Sequence, residues 1–472
     1  MLSDNIYAAL ETVVGAENIT ASKEDLLCYS YDATNTTFMP DAVVFPVTAV
    51  EVSRIVELAN REGFSIIPRG AGSGFTGGSL AIAGGVVLST ERMKQTLDID
   101  EENLTATVEP GVITWEFQQD VEAVGLFYPP DPTSKKISTI GGNIAECAGG
   151  PRAVKYGVTR DYVLALEVVL PTGEIIKTGT STMKGVVGYD LTRLMTGSEG
   201  TLGIITKATL RLIPKPQSVI TMLVSFADIG AAAVAVADIV AARIQPSTLE
   251  IIDAFSIKCI EEYDPERLGG AGALLIIEVD GTEESASHEA ARVREVCMAV
   301  GATGLETATG KQDVKTLWKA RRSISPALFK LKPNKINEDV VVPRSKIMEL
   351  MTGLEALGKS HDLIIACFGH AGDGNIHMNI MYDKTDAAEA ARAEEAVNEA
   401  FELTLSLGGT ISGEHGVGTT KAKYLDMELG PVEIALMRTL KETLDPKGIL
   451  NPGKIFMDET VAEGSTAPNT NA

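Results

Sequence analysis

Histidine and cysteine are scarce in this chain, with five of each among 472 residues. The cysteines, at 28, 147, 259, 297 and 367, stand far apart and form no CxxC pair, which leaves a disulfide framework or an iron–sulfur cluster without support. They read as small core hydrophobes. Positive charge is also short: 41 Lys and Arg against 64 Asp and Glu leave a formal net charge of −23. That balance argues against nucleic acid or anionic lipid as a partner, and any anionic ligand would need a local positive pocket. No apolar run approaches the roughly 18 to 20 residues of a membrane span. The opening MLSDNIYAALETVVG lacks the basic start and long apolar core of a signal peptide, so the chain reads as cytoplasmic, meeting a membrane only through a partner.

What remains is ordinary globular material, 44% apolar and 22% charged, long enough for two or three domains. From Ala42 to Arg69 the pattern is strand, helix, strand: AVVFP, then Val52, Ile55, Val56 and Ala59 at helical spacing, then SIIPR. GGVVLST, LTATVEPG, DYVLALEVVL and EIIKTGT follow as strands, and GTLGIITKATLRLIPKP stops at two prolines, which sets a boundary near Pro216. Beyond it, strands SVITMLVSF, STLEIIDA and GALLIIEVDG alternate with helices at 229–243 and 283–300. The last third carries strands EDVVVP, LIIACF and IHMNIM, helices near 386–407 and 431–444, and a polar tail from 458 that reads as disordered.

PRGAGSGFTGGS, Pro68 to Ser79, contains Gly72-x-Gly74-x-x-Gly77, the bare dinucleotide fingerprint. The context does not fit, because a Rossmann glycine turn opens a helix and here another strand begins within a few residues. Five glycines in nine residues nonetheless expose successive backbone N–H groups that can cradle a phosphate, with Arg69 adjacent; the alternative is a flexible hairpin. STIGGNIAECAGG (138–150) and GSEGTLGIIT (197–206) are two further small-residue loops beside strands. One large cofactor touching all three explains them together.

FGHAGDGNIH, 368 to 377, places His370 and His377 seven apart, an offset that points to opposite faces of an unbroken strand. The Ala-Gly-Asp-Gly-Asn insert can reverse the chain and bring the rings together, or it is a turn with two incidental histidines, Asp373 serving as turn former. SGEHGVG adds Glu414 and His415. Two histidines and a carboxylate suit zinc with an open position, and equally iron(II) or manganese. His288 and His361 lack such neighbours and read as surface residues.

PRGAGSGFTGG, GGNIAECAGG, GVTRDYVLALEVVLPTGE and GSEGTLGIIT resemble the FAD domain of the vanillyl-alcohol-oxidase type. GHAGDGNIHMN, SGEHGVG and DPKGILNPGKIF resemble the branch of D-lactate dehydrogenase, glycolate oxidase and D-2-hydroxyglutarate dehydrogenase. The resemblance covers nearly the whole chain with its motifs in order. It implies an α+β protein: a two-part FAD-binding domain (1–216), an α/β substrate and metal domain (217–430), a C-terminal helical segment returning to the FAD domain (431–457) and the tail (458–472).

It further implies non-covalent FAD. The pyrophosphate would lie on Arg69, Gly70, Ala71, Gly72, Ser73, Gly74, Gly77, Gly78 and Ser79. The flavin would lie on Thr139, Ile140, Gly141, Gly142, Asn143, Ala145, Gly149 and Gly150, the adenine side on Gly203, Ile204 and Ile205, and Asn451 would reach the flavin. The first histidine in the chain is His288, so histidyl attachment near the first loop is excluded, and Cys147 reads as inert packing rather than a thioether. The family pattern makes His370, His377 and Glu414 metal ligands and His415 the base.

Residues 311–346 hold ten Lys or Arg against three acidic residues, an excess of seven that by count alone is a solvated helix face. The resemblance singles out Arg321 in LWKARRSISPAL as a carboxylate fork, with Ser325 and Asn379 as polar substrate contacts. Lys335 aligns less well with the lysine that takes a second carboxylate in hydroxyglutarate enzymes, which speaks against a diacid. The implied activity is FAD- and metal-dependent oxidation of a D-2-hydroxy acid, D-lactate or glycolate, with D-2-hydroxyglutarate dehydrogenation or an oxygen-using oxidase as alternatives. Electrons would leave to an iron–sulfur subunit, an electron-transferring flavoprotein or a quinone-linked protein.

Overall fold

The computed structural model of the protein describes residues 2–261, 268, 270–308 and 310–457; the expected tail at 458–472 lies outside them. The first sheet contains β1 (Ile19–Thr20), β2 (Ala42–Val44), β3 (Ile66–Arg69) and β4 (Val86–Ser89) in the order β1-β2-β4-β3. β2, β4 and β3 run parallel, because helix Ala49–Glu62 carries the chain back between β2 and β3. That helix buries Val52, Ile55, Val56 and Ala59, the stripe its sequence spacing predicts.

The second sheet is antiparallel, from β5 (Thr96–Asp100), β6 (Thr105–Val108), β8 (Val163–Val169), β9 (Ile175–Gly179) and β10 (Ile204–Arg211) in the order β5-β6-β10-β8-β9. A short pair, β7 (Leu126–Phe127) with β11 (Ile213–Pro214), ends this region. The C-terminal segment returns to the first sheet: Ile66 N–H donates to Ile449, Asn451 N–H donates to Ile66, and Ile449 and Leu450 are buried in the core around β2–β4.

The third sheet has seven strands: β12 (Ser218–Phe226), β13 (Thr248–Asp253), β14 (Ala273–Gly281), β15 (Gly304–Thr307), β16 (Asn334–Val341), β17 (Ile364–His370) and β18 (Asn375–Tyr382). Their order is β15-β12-β14-β13-β17-β18-β16, and every pair is antiparallel. Helix–strand alternation in the sequence therefore accompanies an antiparallel sheet here, not the parallel one such alternation usually signals. Helices Ile229–Ala241, Glu283–Ala299, Ile347–Ser360 and Ala387–Ser406 cover one face, over Val224, Ile251, Ile277, Cys367 and Met378. Ala254–Ile260 and Lys311–Ala327 cover the other, over Leu223, Ile252, Leu274 and Phe368. Lys155 and Tyr156, from the first half of the chain, both bond Asp280 of β14 and fasten the large sheet to the first two sheets.

Candidate active site

Strand parity selects the functional side chains. Successive residues alternate faces, so Glu250, Asn337, Asp339, Phe368, His370, His377 and Asn379 all project to the face covered by helix Lys311–Ala327. Register then gathers them: His377 lies opposite Phe368 on β17 and opposite Asp339 on β16, and Glu250 lies opposite His370. The hairpin after His370 turns the offset of seven into a diagonal same-face pair. Asp373 Oδ1 accepts from Asn375 N–H, a turn-forming role. Gly374, at φ +92°, has a Cβ position 2.0 Å from Val342 O, so no larger residue fits there.

His370 Nε2 and His377 Nε2 are 3.4 Å apart, and Glu414 Oε1 lies 3.3 Å from the first and 3.4 Å from the second. One ligand atom from each of the three falls within 4.8 Å of the others. Two imidazoles and a carboxylate in this arrangement fit a divalent cation. Glu250 accepts from His370 Nδ1, which turns Nε2 toward His377 and Glu414, the carboxylate–histidine support common at metal centres. Burial works against charge on His370, but the Glu250 and Glu414 carboxylates outweigh it and raise its pKa well above the usual value. A proton on His370 thus occupies the electrostatic place a cation would take. Burial, and then His370, push His377 down to about 3.

His415 stacks its ring on His377 at 5.4 Å and 17°, and on Phe75 at 5.0 Å and 28°. Burial lowers its pKa from the usual histidine value, which keeps it neutral and able to accept a proton. Arg321 is buried on helix Lys311–Ala327, 4.6 Å over the Phe368 ring, and gives Nε and Nη2 to Glu250 Oε2 at 2.6 and 2.5 Å. Ser325, one turn on, accepts from Lys335 Nζ at 2.6 Å, and burial brings Lys335 down to about 8. Asn379 is fully buried and donates to Ala366 O and His377 O, while its Oδ1 accepts from Asn337. Asn337 is the amide that lines the cavity at this point, with Asn379 behind it.

One cavity of about 630 Å³ joins these groups to the three glycine loops. Arg69 to Gly74, Gly78 and Ser79 line it, as do Thr139, Gly141, Gly142, Asn143, Ala145 and Gly203 to Ile205. At its other end stand Arg321, Ser325, His377, Glu414 and His415.

Residues 40–179 match the family described as FAD binding domain, and residues 215–455 match FAD linked oxidases, C-terminal domain. The chain belongs to the FAD-linked oxidases. Glycolate oxidase subunit GlcD of Bacillus subtilis (strain 168) is 48% identical to it over 458 residues, 97% of each chain. D-lactate dehydrogenase of Anaerostipes hadrus is 38% identical over 425 residues, 88% of this chain and 89% of that one. The solved structure of p-cresol methylhydroxylase with substrate bound shares the fold at a TM-score of 0.80 and 18% identity, over 97% of this chain and 98% of that one.

The cavity of this FAD-linked oxidase suits a flavin dinucleotide. Its loops pack too closely for side chains at their glycines: a Cβ on Gly70 would lie 2.3 Å from Thr139 Oγ1, and one on Gly141 2.5 Å from Pro110 Cβ. Two cavity-lining carboxylate oxygens, Asp32 Oδ2 and Glu146 Oε2, are buried without a partner among the described residues.

Several residues named from the loops act differently from the expectation. The Arg69 guanidinium lines the cavity and also donates to Tyr31 O and to Ser79, under Gly72, so it shapes the loop as well. Asn451 spends its amide hydrogens on Gly78 O and Glu199 O, tying the first loop to the third rather than reaching into the cavity. Gly77 abuts Thr419, Ile140 sits in the core, Gly149 abuts Glu414, and Gly150 lies against Asp131. His288 is exposed and His361 pairs with Glu399.

Sequence reasoning misses Glu250, Asp339, Glu199 and Asn337. Glu250 and Asp339 carry one signal, an acidic residue inside an otherwise apolar strand, as in STLEIIDA and INEDVVV.

Proposed function

We propose that the protein is an FAD-dependent dehydrogenase that oxidises a D-2-hydroxy acid, D-lactate or glycolate, to the 2-oxo acid. The observation that carries this reading is the single cavity running from the glycine loops to the histidine cluster. The relatives named glycolate oxidase subunit and D-lactate dehydrogenase give the substrate class.

Bound FAD supplies a hydride acceptor, and a bound divalent cation a Lewis acid for the hydroxyl. His370, His377 and Glu414 hold that cation, zinc in first place and iron(II) or manganese as alternatives. His415 takes the hydroxyl proton: neutral and at the cavity wall, it needs no prior deprotonation. Arg321 keeps its Nη1 edge for the substrate carboxylate while Glu250 fixes the other side of the guanidinium. Ser325 and Asn337 add polar contacts, with Lys335 and Asn379 acting through them.

Electrons then pass to an accepting protein, an iron–sulfur subunit, an electron-transferring flavoprotein or a quinone-linked protein. The word subunit in the relatives' names supports an assembly of this kind. Anaerobic mixing of the yellow protein with D-lactate or glycolate should bleach the flavin within seconds, and His415→Ala should slow bleaching by roughly 10²- to 10⁴-fold with FAD still bound. Full-speed bleaching by the His415→Ala protein would refute the base assignment. Stoichiometric peroxide in air would favour the oxidase reading.

A further inference from the structure

We propose that Asp339 is a positioning residue for the oxidation, setting the orientation and tautomer of His415 from beneath the site. This rests on the reading of His415 as the base. Asp339 is fully buried in β16, directly across from His377. Its Oδ2 accepts three consecutive backbone N–H groups, from Gly413, Glu414 and His415, at 2.8, 2.6 and 3.0 Å. Its Oδ1 accepts from Lys421 Nζ at 2.5 Å and lies 3.3 Å from His415 Nδ1.

Two consequences follow from one carboxylate. Three amides converging on a point bend the chain at Glu414–His415, so neighbouring side chains that would diverge on an extended strand both line the cavity. The His415 ring is held flat between Phe75 and His377, so its remaining freedom is which nitrogen faces inward. The Asp339 carboxylate 3.3 Å from Nδ1 favours the ring proton on that nitrogen, which leaves the lone pair on Nε2. Nδ1 has no hydrogen-bond partner among the described residues, and its 3.3 Å contact with Asp339 Oδ1 is an electrostatic one, short of hydrogen-bond geometry.

The loop does not hang on Asp339 alone. Glu199 accepts from Val417 and Gly418 N–H, and Thr76 O accepts from Thr419 N–H. A variant at 339 can therefore retain the loop while losing the tautomer. Lys421 also contacts Glu338 at 3.4 Å, so it keeps a partner when Asp339 is neutralised.

The test is a double-mutant cycle on Asp339→Asn and His415→Ala, with kcat and KM on D-lactate and a dye acceptor, and FAD and metal content measured on every variant. Asp339→Asn should lower kcat by about 10²- to 10⁴-fold, as for a histidine held in the wrong tautomer, with FAD and metal content at parent levels. Asp339→Glu, which keeps the charge beside Lys421 but moves the carboxylate, should lose kcat likewise. The double variant should be no slower than His415→Ala, because both changes disable one unit. Multiplying effects, with His415→Ala itself slow, would overturn the inference and leave the functional reading standing. Loss of FAD or metal from both 339 variants would overturn it in favour of a purely structural role. A His415→Ala enzyme as fast as its parent would remove the reading and the inference together.

Discussion

At the scale of single residues, the site depends on buried carboxylates that carry compensated charge. Glu250 is held down to about 2: burial raises it, but Arg321 and His370 outweigh that cost. Removing it as Glu250→Ala would leave Arg321 buried without its anion, a change on the order of 3 to 5 kcal/mol. Calorimetry should show a lower melting temperature, and the variant should bind metal more weakly because His370 loses its orienting partner. His415 titrates in the opposite sense. Its pKa lies below the ordinary 6.5, so the neutral form persists to lower pH, and kcat/KM should show an acid limb with a midpoint below 6.5. An acid limb above 6.5 would point to a different base.

At the scale of elements, the β17–β18 hairpin is the device that makes the histidine pair. Gly374→Ala must place a Cβ against Val342 O at a left-handed φ, which should cost roughly 2 kcal/mol or more and separate His370 from His377. The measurable result is loss of bound metal at a protein concentration where the parent retains it. Much of this hairpin is legible from sequence. FGHAGDGNIH shows a strand broken by turn residues, and the spacing of Val52 to Ala59 shows a helix face. Glu250 and Asp339 are not legible in the same way, because their partners are set by strand register across 120 residues for His370 and 76 for His415. Asn451 differs from its expectation for a related reason: motif chemistry identifies a polar side chain near a loop, but not whether backbone carbonyls have already taken its amide hydrogens.

At the scale of the whole molecule, the cavity lies between two bodies of secondary structure and draws on both. The glycine loops come from the first half, His377, Glu414 and His415 from the second, and Lys155 and Tyr156 on Asp280 hold the halves in register. Asp280→Ala removes both side-chain contacts, leaving only Lys155 Nζ on the carbonyl of residue 280, and should loosen the cavity without unfolding either sheet. Faster FAD release on dilution, followed by flavin fluorescence, is the expected outcome. A chelator such as dipicolinate should in contrast remove activity while the flavin spectrum persists, since the proposed cation ligands His370, His377 and Glu414 are distinct from the glycine loops proposed for FAD.

The return of Ile449–Asn451 to Ile66 has a bearing on how the protein is made. The strand it joins, the loop at Gly78 that Asn451 ties down and the carbonyl of Leu80 that Lys454 caps are all synthesised more than 350 residues earlier. At about 5 to 20 residues per second, that gap is some tens of seconds of translation. During that time the glycine loops exist without their last fastening, and ribosome-bound chains stalled before residue 449 should capture FAD weakly, while chains extended past Lys454 should hold it. The order of synthesis thus separates the first glycine loop from its last fastening by more than 350 residues of chain.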